Sequence, residues 1–136
     1  MLSIDLNATQ VGTVGEQFVR YKLMRWGYPA VMMEHSNSYD ILVMDEDTPI
    51  KIQVKSTLGL DKSRPTTYRF HTRKGSQNTI SYSKTDIDLF AFVALDIQRV
   101  RFGKYQKAFT KRIHKDRFKE DEYERWIELL ESIKVK

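Results

Sequence analysis

Cysteine is absent from all 136 residues. That excludes a disulfide-stapled scaffold and any thiolate metal site, and it points to an intracellular, cytoplasmic protein. No apolar run approaches the roughly 20 residues that cross a bilayer, and residues 1–10 lack the basic-then-apolar pattern of a secretory signal. No membrane association is expected. There is no internal repeat and no low-complexity tract. The three histidines, His35, His71 and His114, stand apart without metal-ligand spacing, so structural or surface roles are expected for them. What is present is the composition of a folded globular protein, 40% hydrophobic and 12% aromatic. The length suits one domain spanning residues 1–136.

The net charge of +5 is unevenly spread. Residues 1–50 carry 3 basic and 7 acidic side chains, residues 51–119 carry 17 and 5, and residues 120–136 carry 3 and 6. The central basic block also holds Tyr68, Phe70, Phe102, Tyr105 and Phe109, the mixture that a polyanion-binding surface needs. Taken alone, the block reads equally as a lysine-rich solvated surface.

Residues 7–26 have the period of an amphipathic helix, with Val11, Val14, Phe18 and Tyr21 on one stripe, widened by Val19, Leu23 and Trp26. Asn7 or Thr9 suits the start and Gly27 the stop. Gly12 and Gly15 weaken its first turns by ~1 kcal/mol each against alanine, which implies either a later start or a close approach to backbone or ligand. Strands are expected over residues 29–35, 39–43, 50–56 and 66–73, with weaker ones over 100–102 and 109–113. Residues 82–88 read as a short helical turn. Residues 89–95 form an apolar run suited to a central strand covered on both faces. Residues 120–133 read as a closing helix built on Tyr123, Trp126, Ile127, Leu130 and Ile133. The order implies an α/β (α+β) domain, a mixed sheet flanked by helices.

The chemistry lies in the second and third strands. Glu46, Asp47, Thr48 and Pro49 provide turn residues between them, and pairing Asp45 with Ile50 sets Asp40 opposite Lys55 and Leu42 opposite Gln53. Tyr39, Ile41, Val43, Ile50, Ile52 and Val54 then share the hydrophobic face. A slip of one residue would drive Asp40 among them, whereas a slip of two keeps Asp40, Gln53 and Lys55 together on the other face. Phosphodiester hydrolysis needs charge stabilisation at the phosphoryl oxygens and an oriented, deprotonated water; oxygen ligands holding Mg²⁺, with Mn²⁺ as the alternative ion, answer both needs. Asp40, Gln53 and the backbone carbonyl of Val54 are candidate metal ligands. Lys55 can steer water or phosphate, and Glu16 on the first helix is the candidate second acid. A plain cross-strand ion pair of Asp40 with Lys55 is the structural alternative.

The helix carrying Gly12-Thr13-Val14-Gly15-Glu16, the strand opening on Asp40 and the Gln53-Val54-Lys55 strand together resemble the PD-(D/E)XK nuclease superfamily, with its restriction-endonuclease-like fold. Within it the chain is similar to group I intron homing endonucleases and archaeal Holliday junction resolvases. The stretch of residues 82–92 is similar to the segment after the core in the homing group. The resemblance covers residues 12–96 and leaves residues 97–136, the basic segment and closing helix, loosely matched. It implies a Mg²⁺-dependent DNA endonuclease with catalytic residues Glu16, Asp40, Gln53 and Lys55. A glutamine takes the place of the superfamily's third acid. A homing-type, sequence-specific enzyme is expected; a Holliday junction resolvase and a non-catalytic DNA-binding module of the same fold are the alternatives. The implied partner is double-stranded or branched DNA, met by a homo-oligomer, dimer or tetramer. Lys62, Arg64, Arg69, Arg73 and Lys74 are the candidates for backbone-phosphate contacts, which position DNA without reading its sequence.

Overall fold

The computed structural model describes residues 5–34, 38–72 and 86–134. Helix α1 (Ala8–Arg25) starts at Asn7, whose side chain accepts from the Gln10 N–H at 2.9 Å while the Gln10 side chain accepts from the Asn7 N–H at 2.9 Å. This reciprocal cap satisfies two of the donors that a helix start leaves orphaned. The helix stops at Gly27, whose φ of 89° lies in the left-handed region. Its buried ridge is Gly15, Val19 and Leu23, four residues apart. Val14 and Tyr21, expected on the inner stripe, are 43% and 59% exposed. The ridge begins with a glycine, which no hydrophobicity pattern registers.

Strands β1 (Ala30–Met32), β2 (Ile41–Asp45), β3 (Thr48–Thr57), β5 (Leu89–Ala94) and β6 (Arg99–Lys104) form one mixed sheet in the order β1-β2-β3-β5-β6. Only the β3–β5 pair is parallel. Asp88 anchors that pair: its N–H donates to the Lys51 carbonyl and its carboxylate accepts from the Lys51 N–H, both at 2.8 Å. Strands β4 (Thr67–His71) and β7 (Thr110–His114) make a separate antiparallel ribbon. A 3-10 turn (Lys115–Lys119) leads to helix α2 (Glu122–Lys134). The helical turn expected over residues 82–88 falls mostly outside the described residues.

The sheet is buried on two sides. One face of β2, β3, β5 and β6 packs against Val19 and Leu23 of α1 and Trp126, Leu129 and Leu130 of α2. The other face of β5 presents Phe90, Phe92 and Ala94 to Tyr68 and Phe70 of β4, Ile113 of β7 and Phe118. Every residue of β5 is therefore buried, as its continuous apolar run predicts. Tyr39, expected with Ile41 and Val43, instead packs with the second cluster. Strand β6 is an edge, and α2 covers it: Glu122 Oε2 accepts from the Val100 N–H at 2.7 Å, and Arg125 Nε donates to the Phe102 carbonyl at 3.0 Å. Such contacts blunt an edge that would otherwise pair with another strand. Among the described residues no helix is long and apolar enough to cross a membrane.

Candidate active site

The β2–β3 hairpin pairs Asp45 with Thr48, Val43 with Ile50 and Leu42 with Lys51. The expected register, with Asp45 opposite Ile50, is thus displaced by two residues. The cause is the turn: Glu46 adopts a φ of 55°, which lets Glu46 and Asp47 close the hairpin alone. Thr48 and Pro49 then enter β3, the proline facing Met44 at an exposed position. A two-residue displacement preserves strand parity, so Asp40, Gln53 and Lys55 still share one face.

Asp40 sits just before β2 and is fixed at three points. Its N–H donates to the Ile52 carbonyl at 2.8 Å, its carbonyl accepts from the Met33 N–H at 2.9 Å, and its Oδ2 accepts from the Val54 N–H at 2.8 Å. The last bond replaces a backbone ladder contact with a carboxylate. Val54 therefore has its N–H engaged by Asp40 and its carbonyl approached by Gln53 Nε2 at 3.5 Å. Gln53 is 9% exposed. A half-turn of its amide exchanges nitrogen for oxygen, which would place two oxygen donors side by side next to the Asp40 carboxylate.

Lys55 follows two residues along β3 on the same face. Burial pushes its ammonium below the ordinary value of 10.5, and the neighbouring Asp40 carboxylate partly restores it. The burial arises because this face of the sheet is not bare: Lys55 lies beside Phe92, and Gln53 beside Phe90, in the β3–β5 register. The aromatic cluster between sheet and ribbon thus walls one side of the candidate site.

Helix α1 meets β3 at Gly15. A Cβ on Gly15 would lie 1.7 Å from Ser56 Oγ and 2.8 Å from Ser56 Cβ, so only glycine permits this approach. Ser56 Oγ is buried there without a hydrogen-bond partner. Glu16 is the next residue on the helix and half-buried, so the glycine contact delivers its backbone to the end of β3. Among the described residues no group of three or more His, Asp and Glu is arranged to hold a metal ion. The donors gathered around Asp40 are instead a carboxylate, an amide and a carbonyl.

Of the expected phosphate contacts, Lys62, Arg64 and Arg69 are exposed. Arg73 and Lys74 lie outside the described residues. Lys62 and Arg64 ride a turn held by Asp61, whose Oδ1 accepts from the N–H and hydroxyl of Ser63. Those bonds, with Arg112 and Arg69 nearby, hold the Asp61 carboxyl below its usual range. Arg112 was not singled out from the sequence. It faces Arg69 directly across the ribbon and pairs with Asp61 at 3.3 Å. Its outward parity in β7 was readable, but its pairing with a strand some forty residues away was not.

No family model and no curated protein sequence matches the chain. The architecture does match solved structures. A bacterial homing endonuclease, I-Ssp6803I, superposes with a TM-score of 0.64 over 80% of this chain and 76% of its own, at 16% identity. Hjc, a Holliday junction resolvase from Archaeoglobus fulgidus, superposes with a TM-score of 0.51 over 79% of this chain and 87% of its own, also at 16% identity. Both neighbours are nucleases. The chain therefore shares the restriction-endonuclease-like fold with these two neighbours.

Proposed function

We propose that the chain is a divalent-metal-dependent DNA endonuclease, of the homing, sequence-specific type. The observation that carries this reading is the bond from the Val54 N–H to Asp40 Oδ2, which binds a carboxylate, a backbone carbonyl and the Gln53 amide into one unit beside Lys55. With the Gln53 amide turned to present its oxygen, the donors would all be hard oxygens, which suit Mg²⁺ or Mn²⁺ and not a soft metal. Asp40, Gln53, the Val54 carbonyl and Glu16 would hold the ion. When bound it supplies stabilisation of charge on the phosphoryl oxygens and a water of lowered pKa.

The chain's own residues do the rest. Asp40 keeps its orientation because its backbone is bonded on both sides, so its carboxylate needs no rearrangement as charge develops. Lys55 sits in a half-buried position where its charge is poorly screened. There it neutralises a non-bridging phosphate oxygen or orients the attacking water. Water attacks phosphorus, one P–O ester bond breaks, and the departing oxygen takes up a proton. Lys62, Arg64 and Arg69 hold flanking phosphates, with Arg73 and Lys74 as further candidates. A homo-oligomer is proposed because one such site cuts one strand.

Junction resolution is the second reading, favoured by the likeness to the archaeal resolvase. Supercoiled plasmid and a synthetic four-way junction, incubated with Mg²⁺ or EDTA, separate the readings. Cutting at a defined site in plasmid DNA supports the homing type. Cutting of junctions whatever the arm sequence supports the resolvase. DNA binding with no cutting of either substrate at any protein level overturns both and leaves a binding module.

A further inference from the structure

The β4–β7 ribbon has two faces of opposite chemistry. Tyr68, Phe70 and Ile113 belong to the second core. Strand alternation turns Thr67, Arg69, Arg112 and His114 to the other side, where the register sets Arg69 against Arg112 and Thr67 against His114. Arg69 and His114 are exposed there. Like charges directly opposite one another across a strand pair destabilise it, so the two guanidiniums need a counter-charge.

Asp61 supplies it, and is built into this end of the ribbon. Its N–H donates to the Thr67 carbonyl at 2.8 Å, and its carbonyl accepts from the Arg64 N–H at 3.1 Å. Its Oδ1 accepts from the Ser63 N–H at 3.0 Å and from the Ser63 hydroxyl at 2.9 Å. With Oδ1 so occupied, Oδ2 stands 3.3 Å from Arg112 Nη2. The Asp61 side chain is 10% exposed, and that of Arg112 31%. Asp61 Oδ2 and Arg112 Nε are both buried without a hydrogen bond. The pair therefore fixes one flank of the guanidinium while spending little of its five-donor capacity.

A carboxylate beside an arginine has opposite effects on two kinds of DNA contact. Against a phosphate it repels the ligand and cancels the charge on which backbone affinity depends. Against a base edge, which carries no net charge, it costs little and holds the planar fork in one orientation, as bidentate recognition requires. Lys62 and Arg64, exposed on the turn beyond Asp61, suit phosphates; Arg112 suits a base. The base edge that matches an arginine fork is guanine O6 and N7, in the major groove. That groove, about 12 Å wide, admits a two-stranded ribbon.

We propose that the outer face of the β4–β7 ribbon enters the major groove of duplex DNA, where Arg112 reads a guanine and Asp61 is its positioning residue. This deepens the endonuclease reading and rests on it for why DNA meets this face. It assigns part of the sequence preference to one side chain, flanked by phosphate contacts from Lys62, Arg64 and Arg69.

Selection from a randomised duplex library, run in EDTA with the full chain, tests it without cleavage. Wild type should enrich guanine at a defined position, and changing that guanine should weaken binding roughly tenfold or more in fluorescence anisotropy. Replacing it by 7-deazaguanine, which lacks only the N7 acceptor, should weaken wild-type binding too. Arg112→Lys keeps the charge and loses the fork; it should erase the preference at that one position and leave affinity for unselected duplex unchanged. Asp61→Asn should relax the same position and no other, an outcome that general loosening of the fold would not give. Lys62→Ala should instead weaken all sequences alike and reduce the salt dependence.

A folded Arg112→Lys chain that keeps the guanine preference overturns the proposal. So does a uniform loss of affinity across sequences, which would make Arg112 a phosphate contact. Wild type that selects no guanine, yet cuts DNA with Mg²⁺, overturns this proposal and spares the nuclease reading. Guanine selection that depends on Arg112, without Mg²⁺-dependent cutting, sinks only the nuclease reading.

Discussion

Asp40 and Val54 are joined by a bond of 2.8 Å from a main-chain N–H to a carboxylate oxygen. The bond does two things at once. It holds the carboxylate still, and it fixes the strand whose next residue is Lys55. Loss of charge and loss of the bond can be separated by substitution. Asp40→Asn keeps an acceptor for Val54 and should lose only the attraction to Lys55, while cutting cleavage roughly 10²–10³-fold. Asp40→Ala leaves the partly buried Val54 N–H without its acceptor and should also cost about 1–3 kcal/mol. Urea denaturation of both variants beside their cleavage rates checks the split.

Lys55 gives a prediction in pH. Its ammonium titrates below 10.5 in the fold because burial disfavours the charge. At neutral pH folded and unfolded chains both carry the proton, and the burial penalty applies in full. Above the lowered value the unfolded chain binds more protons than the folded one, so stability rises with pH until 10.5. Lys55→Met, which keeps the stem and drops the charge, should be more stable than wild type at neutral pH. The gap should close as pH approaches 10.5. Thermal unfolding across that range checks it, and Asp40→Asn should depress the Lys55 pKa further because the restoring carboxylate is gone.

Gly15 gives a prediction in packing. Alanine there would collide with both the Cβ and the Oγ of Ser56; the hydroxyl can turn about χ1, but the Cβ cannot leave without moving β3 or α1. Gly15→Ala should destabilise the fold by about 1–3 kcal/mol, as overpacking does. It should also lower cleavage by shifting Glu16. Ser56→Gly in the same chain should restore part of both, a coupling that a double-mutant cycle reads directly. Additive effects would mean the two residues do not meet.

Gln53 tests the donor set. Gln53→Glu adds a carboxylate beside Asp40 at a position that is 9% exposed. Without metal the paired negative charges should lower the melting temperature. With Mg²⁺ the melting temperature should climb further than that of wild type, because an ion that binds only the folded chain stabilises it by mass action. A thermal-shift titration with Mg²⁺ against Ca²⁺-free, EDTA-treated protein reads both effects.

Much of this was legible from the chain. Asn7 and Gly27 bracket α1, the unbroken apolar run of β5 announces a strand buried on both faces, and alternation along β2 and β3 groups Asp40, Gln53 and Lys55. Illegible parts share a physical reason: they depend on contacts distant in sequence or on backbone freedom at one residue. The left-handed conformation of Glu46 tightens the turn and shifts the register by two. Gly15 looks like a helix defect until β3 is packed against it. The β4–β7 ribbon places Tyr68 and Phe70 over β5, and Tyr39 joins that second core. Nothing in local periodicity predicts that pairing.

The most direct test is the single-turnover cleavage of end-labelled DNA by wild type, Asp40→Asn and Lys55→Ala, each with Mg²⁺ and with EDTA. Wild type should cut with Mg²⁺ alone, and both variants should fall by roughly two orders of magnitude or more while still binding DNA. Cleavage that survives EDTA, or that either variant performs at the wild-type rate, would contradict an active site built on Asp40, Val54 and Lys55.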